Sequence, residues 1–227
     1  MTSSWDRYKT YAEQATAQGC FDDAEAMWLA ALEEAEQFGL GDPRLPLTLE
    51  HLADVELKQG KIEVAEELYK KALTMKASTL GPFHLDVGAS ANNLAELYCS
   101  NGKFEAAEPL YKRVLRCYET AFGQQHVGVA IIATNLAIMY HAQEKYSEAE
   151  PLYQRALNIH KKISGVTHPE TIKVTNNYVD LLNRTGREQD ALRIIEESRG
   201  SVSGVWKRSI SRMPHSTLAN VVVPKFD

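Results

Sequence analysis

The string KQGKIEVAEELYKKAL at 58–73 returns as SNGKFEAAEPLYKRVL at 100–115 and as AQEKYSEAEPLYQRAL at 142–157, a step of 42 residues each time. A looser copy, AQGCFDDAEAMWLAAL, stands at 17–32, and a degraded one, RTGREQDALRII, at 184–195. A second string keeps the same period: NNLAELY at 92–98, TNLAIMY at 134–140 and NNYVDLL at 176–182. So do the turns GPFH (81–84), GQQH (123–126) and GVTH (165–168). A period of this length constrains the fold strongly. Each copy is one supersecondary unit that cannot bury its apolar face alone, so the copies must stack.

Each unit reads as two helices. Ala91, Leu94, Ala95 and Tyr98 fall at i, i+3, i+4 and i+7, the stripe of an amphipathic helix. Asn101-Gly102 ends that helix, because both residues tolerate the left-handed conformation. A second helix runs from about Phe104 to Ala121, with Phe104, Ala107, Leu110, Tyr111, Val114 and Leu115 on one face. Small residues recur where paired helices should cross: Ala24, Ala65, Ala107, Ala149 and Ala191 in the second helix, and Ala12, Ala53, Ala95, Ala137 and Val179 in the first. Large ones fill the complementary place: Trp28, Tyr69, Tyr111, Tyr153 and then Ile195. Small against large lets neighbouring helices interdigitate without voids.

The small and aromatic places, NNLAELY, GKFEAAEPLYKRVL and the GxxH turn resemble the tetratricopeptide repeat. They resemble in particular the 42-residue version of kinesin light chain, over roughly 4–198. The resemblance implies an all-α, right-handed superhelical solenoid of about five helix-turn-helix repeats, at about 4–40, 41–82, 83–124, 125–166 and 167–198. First helices would line a concave wall and second helices a convex one. Pro109 and Pro151 lie inside second helices, where each removes a backbone bond and should kink the helix. The family carries the same proline, so the helix assignment stands. Light chains have a heptad coiled coil ahead of their repeats. Here about four residues precede the first repeat, so coupling to a motor is not expected. Glu188 stands where Phe104 and Tyr146 do, a polar change that suits a terminal unit.

Composition excludes several classes. Nothing near twenty uninterrupted apolar residues occurs, so no membrane insertion is expected. MTSSWDRYKTYAEQ lacks a basic-then-apolar leader, and Cys20, Cys99 and Cys117 have no pairing or metal spacing. A cytoplasmic setting with reduced thiols is expected. A net charge of −5 gives no footprint for nucleic acid.

No enzyme is expected. No strand-turn-helix pattern suits a nucleophile elbow. Gly60-Lys61 and Gly102-Lys103 lack the Ser or Thr and the earlier Gly of a phosphate loop, so they read as hairpin turns. His84, His126 and His168 sit one repeat apart, too far for one metal ion with ligands at about 2 Å. Each should instead fix the turn before a new helix. No metal and no cofactor are expected.

Binding has better support. At 100° per residue, the face opposite Ala91, Leu94, Ala95 and Tyr98 carries Ala89, Asn93, Glu96 and Ser100. The same places in the other repeats are Asp6, Thr10, Glu13 and Ala17; Leu47, His51, Asp54 and Lys58; Ile131, Asn135, Ile138 and Ala142; and Lys173, Asn177, Asp180 and Arg184. Asn93, Asn135 and Asn177 recur once per repeat. An amide offers both donors and an acceptor, the complement of an extended peptide backbone. Asparagines at this place bind cargo peptides in the kinesin light chain groove, and the resemblance implies the same role here. The alternative is that each bonds a neighbouring helix. Ile131 and Ile138 would form an apolar pocket for one ligand anchor, or else pack against the next repeat. Acids (Asp6, Glu13, Asp54, Glu96) early in the row and Lys173 with Arg184 at its end would suit a ligand basic at one end and acidic at the other.

Residues 199–227 break the pattern. Arg199, Lys207, Arg208, Arg212 and Lys225 against Asp227 make this tail basic. Val202, Val205, Trp206, Ile210 and Met213 have near-helical spacing, which suggests a capping helix over 199–213 and a flexible basic tail over 214–227. The tail could alternatively occupy the groove. The expected function is a non-catalytic adaptor that binds an extended segment of a partner protein. The alternative is an assembly module that self-associates through the convex face or the ends of the solenoid. An oligomer is possible in either case but nothing in the sequence indicates one.

Overall fold

The computed structural model describes residues 3–39 and 41–199. Among these residues there are ten α-helices and no strand: α1 (Ser4–Gln18), α2 (Phe21–Glu36), α3 (Arg44–Lys58), α4 (Ile62–Leu80), α5 (Leu85–Ser100), α6 (Phe104–Phe122), α7 (Val127–Ala142), α8 (Tyr146–Ile163), α9 (Pro169–Arg184) and α10 (Glu188–Arg199). The chain divides into two compact units, Met1–Leu97 and Tyr98–Asp227. In the first, α2 packs on α1 and α3, and α3 packs on α4. In the second, α7 packs on α6 and α8, and α9 packs on α8 and α10. The residues expected to form a capping helix and a flexible tail lie, from 200 onward, outside the described residues.

One backbone motif closes the hairpin in every repeat. The Lys103 amide donates to the Tyr98 carbonyl at 2.8 Å and the Gly102 amide to Cys99 at 3.1 Å. This is the Schellman pattern, in which a left-handed residue just past the helix satisfies orphan carbonyls. The same long bond joins Cys20 to Ala15, Lys61 to Glu56, Lys145 to Tyr140 and Arg187 to Leu182. Gly60-Lys61 and Gly102-Lys103 are thus hairpin turns. The fourth repeat keeps the bonds without the glycine: Glu144 holds φ of 58° there, the one non-glycine positive φ among the described residues.

The recurring histidines begin the next helix. Nδ1 of His84 accepts from the Asp86 amide at 3.2 Å, His126 from Gly128 at 3.1 Å, and His168 from Glu170 at 3.3 Å. An imidazole acceptor thereby takes the place that Ser3 fills for α1, where Ser3 and Asp6 form a reciprocal capping box. Second helices start differently: Lys61, Lys103 and Lys145 make no side-chain cap.

The core follows the small-large pattern. Ala24, Ala65, Ala107, Ala149 and Ala191 are buried, as are Ala12, Ala53, Ala95 and Ala137. Trp28, Tyr69, Tyr111 and Tyr153 are buried as well. In the last repeat Val179 and Ile195 are only half-buried. Helices α6 and α8 run on through Pro109 and Pro151. The repeated tyrosines thus belong to the core and not to the surface.

Left-handed backbone costs an ordinary residue about 1–2 kcal/mol, and glycine gives part of that back as unfolded-state entropy. Glu144→Gly should therefore raise stability by about 0.5–1 kcal/mol. Thermal and denaturant unfolding check this, and an unchanged or lower midpoint would refute it.

Candidate functional site

Each unit carries part of the row predicted from the repeat. In the first unit, Asp6, Thr10, Glu13 and Ala17 of α1 are exposed. His51 and Asp54 of α3, and Asn93 and Glu96 of α5, are half-buried. The His51 ring lies flat on Trp28, with centroids 4.8 Å apart and planes 8° from parallel. Nδ1 of His51 is 3.9 Å from Asp54 Oδ2, and the Tyr69 hydroxyl donates to Asp54 Oδ1. Burial first, then the Asp54 charge, pushes the Tyr69 pKa up, so that hydroxyl stays a donor. Glu96 accepts from Asn92 Nδ2 at 2.9 Å. Asp54 and Glu96 are therefore each held by a neighbouring side chain.

In the second unit the row has two characters. On α9, Lys173, Asn177 and Asp180 are half-buried and Arg184 is exposed. Arg184 Nε lies 2.9 Å from Asp180 Oδ2, and Lys173 Nζ lies 3.9 Å from Glu170 Oε2. Each cation thus has an acid on its own helix, and the basic end expected from the sequence is largely neutralised. On α7, Ile131 is half-buried, but Asn135 is only 3% exposed and Ile138 only 6%. The face expected to be wet is closed at these two places, and no open Ile131–Ile138 patch stands there. The cause is the sequence of α7, VGVAIIATNLAIMYHA, which has no polar stripe. A helix apolar all round is buried all round.

The three recurring asparagines share one property. No hydrogen bond joins the side-chain amide of Asn93, Asn135 or Asn177 to another described residue. The adjacent Asn92 is bonded, so this is not general to the region. The alternative reading, an Asn tying neighbouring helices, has no bond to support it. Asn135 Nδ2 is fully shielded from water as well. Such a buried, unmet donor costs about 1–3 kcal/mol.

A family sequence model described as the tetratricopeptide repeat matches residues 7–78, 44–120 and 128–200. The chain is a tetratricopeptide repeat protein. No curated protein sequence matches it. Among solved structures, BtubC (BKLC) from P. vanneervenii is similar at a TM-score of 0.75 and 23% identity, covering 97% of this chain and 87% of that one. Nearly identical TPR-like repeats of a putative kinesin light chain from Podosopora anserina give 0.73 and 21%, covering 88% and 96%. A MamA protein gives 0.64 and 16%, covering 88% and 92%. At these identities the likeness concerns the fold: an all-α helical-repeat solenoid of the kind found in kinesin light chain repeats.

Sequence reasoning missed His141 of this repeat protein. Its Nδ1 lies 3.3 Å from the Tyr153 hydroxyl and its Nε2 3.5 Å from Asp180 Oδ2. The two contacts fit one tautomer, with Nδ1 accepting and Nε2–H donating. Leu57, Cys99 and Asn183 hold its place in other repeats, so the period gave no signal. A cavity of about 300 Å³ opens between α8, α9 and α10, lined by Leu157, Asn158, Lys161, Tyr178, Arg193 and Ile194. None of the predicted residues lines it. Among the described residues no cluster of His, Cys, Asp and Glu could hold a metal ion, and no helix is long and apolar enough to cross a membrane.

Burial holds the His141 pKa below its ordinary value, while the Asp180 charge pulls it up and Arg184 pushes it down. Asp180→Asn should therefore lower the His141 pKa further. Ring titration by NMR reads this directly, and a rise on substitution would refute the assigned contact.

Proposed function

We propose that this tetratricopeptide repeat protein is a non-catalytic adaptor that holds an extended segment of a partner protein along its first helices. Asn93 and Asn177, both half-buried, would bond the segment's main chain, and Asn135 would join them only on being uncovered by the ligand, since its Nδ2 is shielded in the free protein. His51, Asp54, Glu96, Lys173 and Arg184 would border it, and Ile131 would offer the apolar contact, with Ile138 behind it. The observation that carries the reading is the lack of any bond to the three amides. A peptide backbone supplies an acceptor and a donor at each residue, so these amides gain partners that the chain itself does not give them. Reading the main chain needs no particular side chain, and a prefolded wall adds little ordering cost of its own.

The charges refine what such a segment should look like. Asp6 and Glu13 are exposed at one end of the series and favour a basic stretch there. Arg184 and Lys173 already face acids of α9, so an acidic end of the ligand would have to compete with Asp180 and Glu170. Solvent-exposed pairs of this kind are worth about 0–1 kcal/mol, which makes the competition feasible.

The test begins with affinity capture of a partner from the native lysate, followed by calorimetry with its bound segment. Loss of one main-chain bond is worth about 0.5–1.5 kcal/mol, so Asn135→Ala and Asn177→Ala should each weaken binding by about three- to tenfold. Unchanged affinity in both variants, with stability retained, would remove the asparagine ladder.

A further inference from the structure

His160 stands near the end of α8, where the Ser164 and Gly165 amides donate to its carbonyl at 2.8 and 3.1 Å. Its side chain is 1% exposed, and neither ring nitrogen has a hydrogen-bond partner among the described residues. A neutral imidazole tolerates this with one N–H and one lone pair unmet. A protonated ring carries two N–H groups and a charge, and its surroundings supply no acceptor for either.

The charged and titratable neighbours are few. Glu170 of α9 favours the protonated ring, and His168, which caps that helix, opposes it. On its own helix Lys161 pairs with Glu197 of α10 at 3.5 Å, and Lys162 follows. Burial outweighs these charges and holds the His160 pKa below its ordinary value.

We propose that His160 is a proton-operated latch on the joint between α8 and α9. Neutral, the ring stays packed and the joint is closed. Protonated, it leaves for solvent, and the turn at 164–168 and the first turn of α9 loosen with it. Outside, the cation has a favourable place beside Glu170 and at the C-terminus of α8, where the backbone dipole attracts positive charge. The sign follows from the lowered pKa. The folded state binds fewer protons than the unfolded chain, so the closed joint is fully stable above the ordinary histidine value of 6.5 and loses stability as pH falls below it. Because α9 carries Lys173, Asn177, Asp180 and Arg184, acid would also loosen the last part of the binding row. That consequence rests on the proposed adaptor function; the latch does not.

The experiment is amide hydrogen exchange on the full chain between pH 7.5 and 5, corrected for intrinsic rates. Protection across 160–175 should fall by up to about tenfold per pH unit below about 6.5, the limit for one coupled proton. Amides of α3 and α4 should keep theirs. His160→Phe, which keeps an aromatic ring and removes the proton, should flatten the response. NMR titration of the wild-type ring serves as the second measurement should that variant fail to fold, and the ring should titrate below 6.5. A ring titrating at or above that value, protection independent of pH, or the same loss in His160→Phe would overturn the latch. Calorimetry of the asparagine variants at pH 7.5 is untouched by either result, so the two readings fail separately.

Discussion

Everything else in this chain depends on a small side chain and a large one set a turn apart on one face of the same helix. In each of the first four second helices an alanine precedes an aromatic by four residues: Ala24 and Trp28, Ala65 and Tyr69, Ala107 and Tyr111, Ala149 and Tyr153. All eight are buried. Residues four apart share one helix face, so each helix shows its neighbour a hollow beside a knob. The alanines let backbones come close, and the rings fill what the alanines leave. Each pair therefore sets its own spacing. Repetition of the pair then repeats the spacing, and the turns, caps and exposed rows inherit a common phase.

This dependence explains which parts of the molecule the sequence could reveal. The period, the hairpin turns at Gly60 and Gly102 and the capping role of His84, His126 and His168 are local, set by residues within a few positions of each other. Their bonds to Asp86, Gly128 and Glu170 each span two residues. The pairing of Arg184 with Asp180 is also local, at i and i+4, yet it was hidden by reading the row for its overall charge order. His51 on Trp28 joins residues far apart in the chain, and no periodic pattern announces it. The burial of Asn135 and Ile138 was hidden for a different reason. A 100° projection assumes a polar face, and α7 has none, so the projection returns an outward side that does not exist in that helix.

Several core polar groups are matched: Trp5 to Thr48, Glu50 to Lys76 and Ser90, Thr171 to the Gly165 carbonyl. Others, such as the His160 ring and Asn92 Oδ1, are not. The amides of Asn93, Asn135 and Asn177 are left without such a match. Folding alone gives no reason to keep three asparagines at one repeat place when apolar residues there would cost less. The proposed adaptor role would give one, and an amide would suit it because it reads backbone and not side chain.

Four departures from the repeat lie in its fourth copy. Asn135 and His141 lie on α7, Glu144 in its turn and His160 on α8, all within the fourth repeat. Each breaks a local rule: a buried unmet amide, an imidazole where other repeats have Leu57, Cys99 or Asn183, a left-handed glutamate, and a shielded imidazole without partners. In a stacked array such costs are tolerable together, because each repeat is stabilised mainly by its immediate neighbours and a weak one is held from both sides. Local inconsistency held inside an otherwise consistent fold is the physical mark of a site kept for something other than stability. On the adaptor and latch proposals, the fourth repeat, flanked by the regular α6 and by α9, is where stability would be exchanged for responsiveness to ligand and to protons.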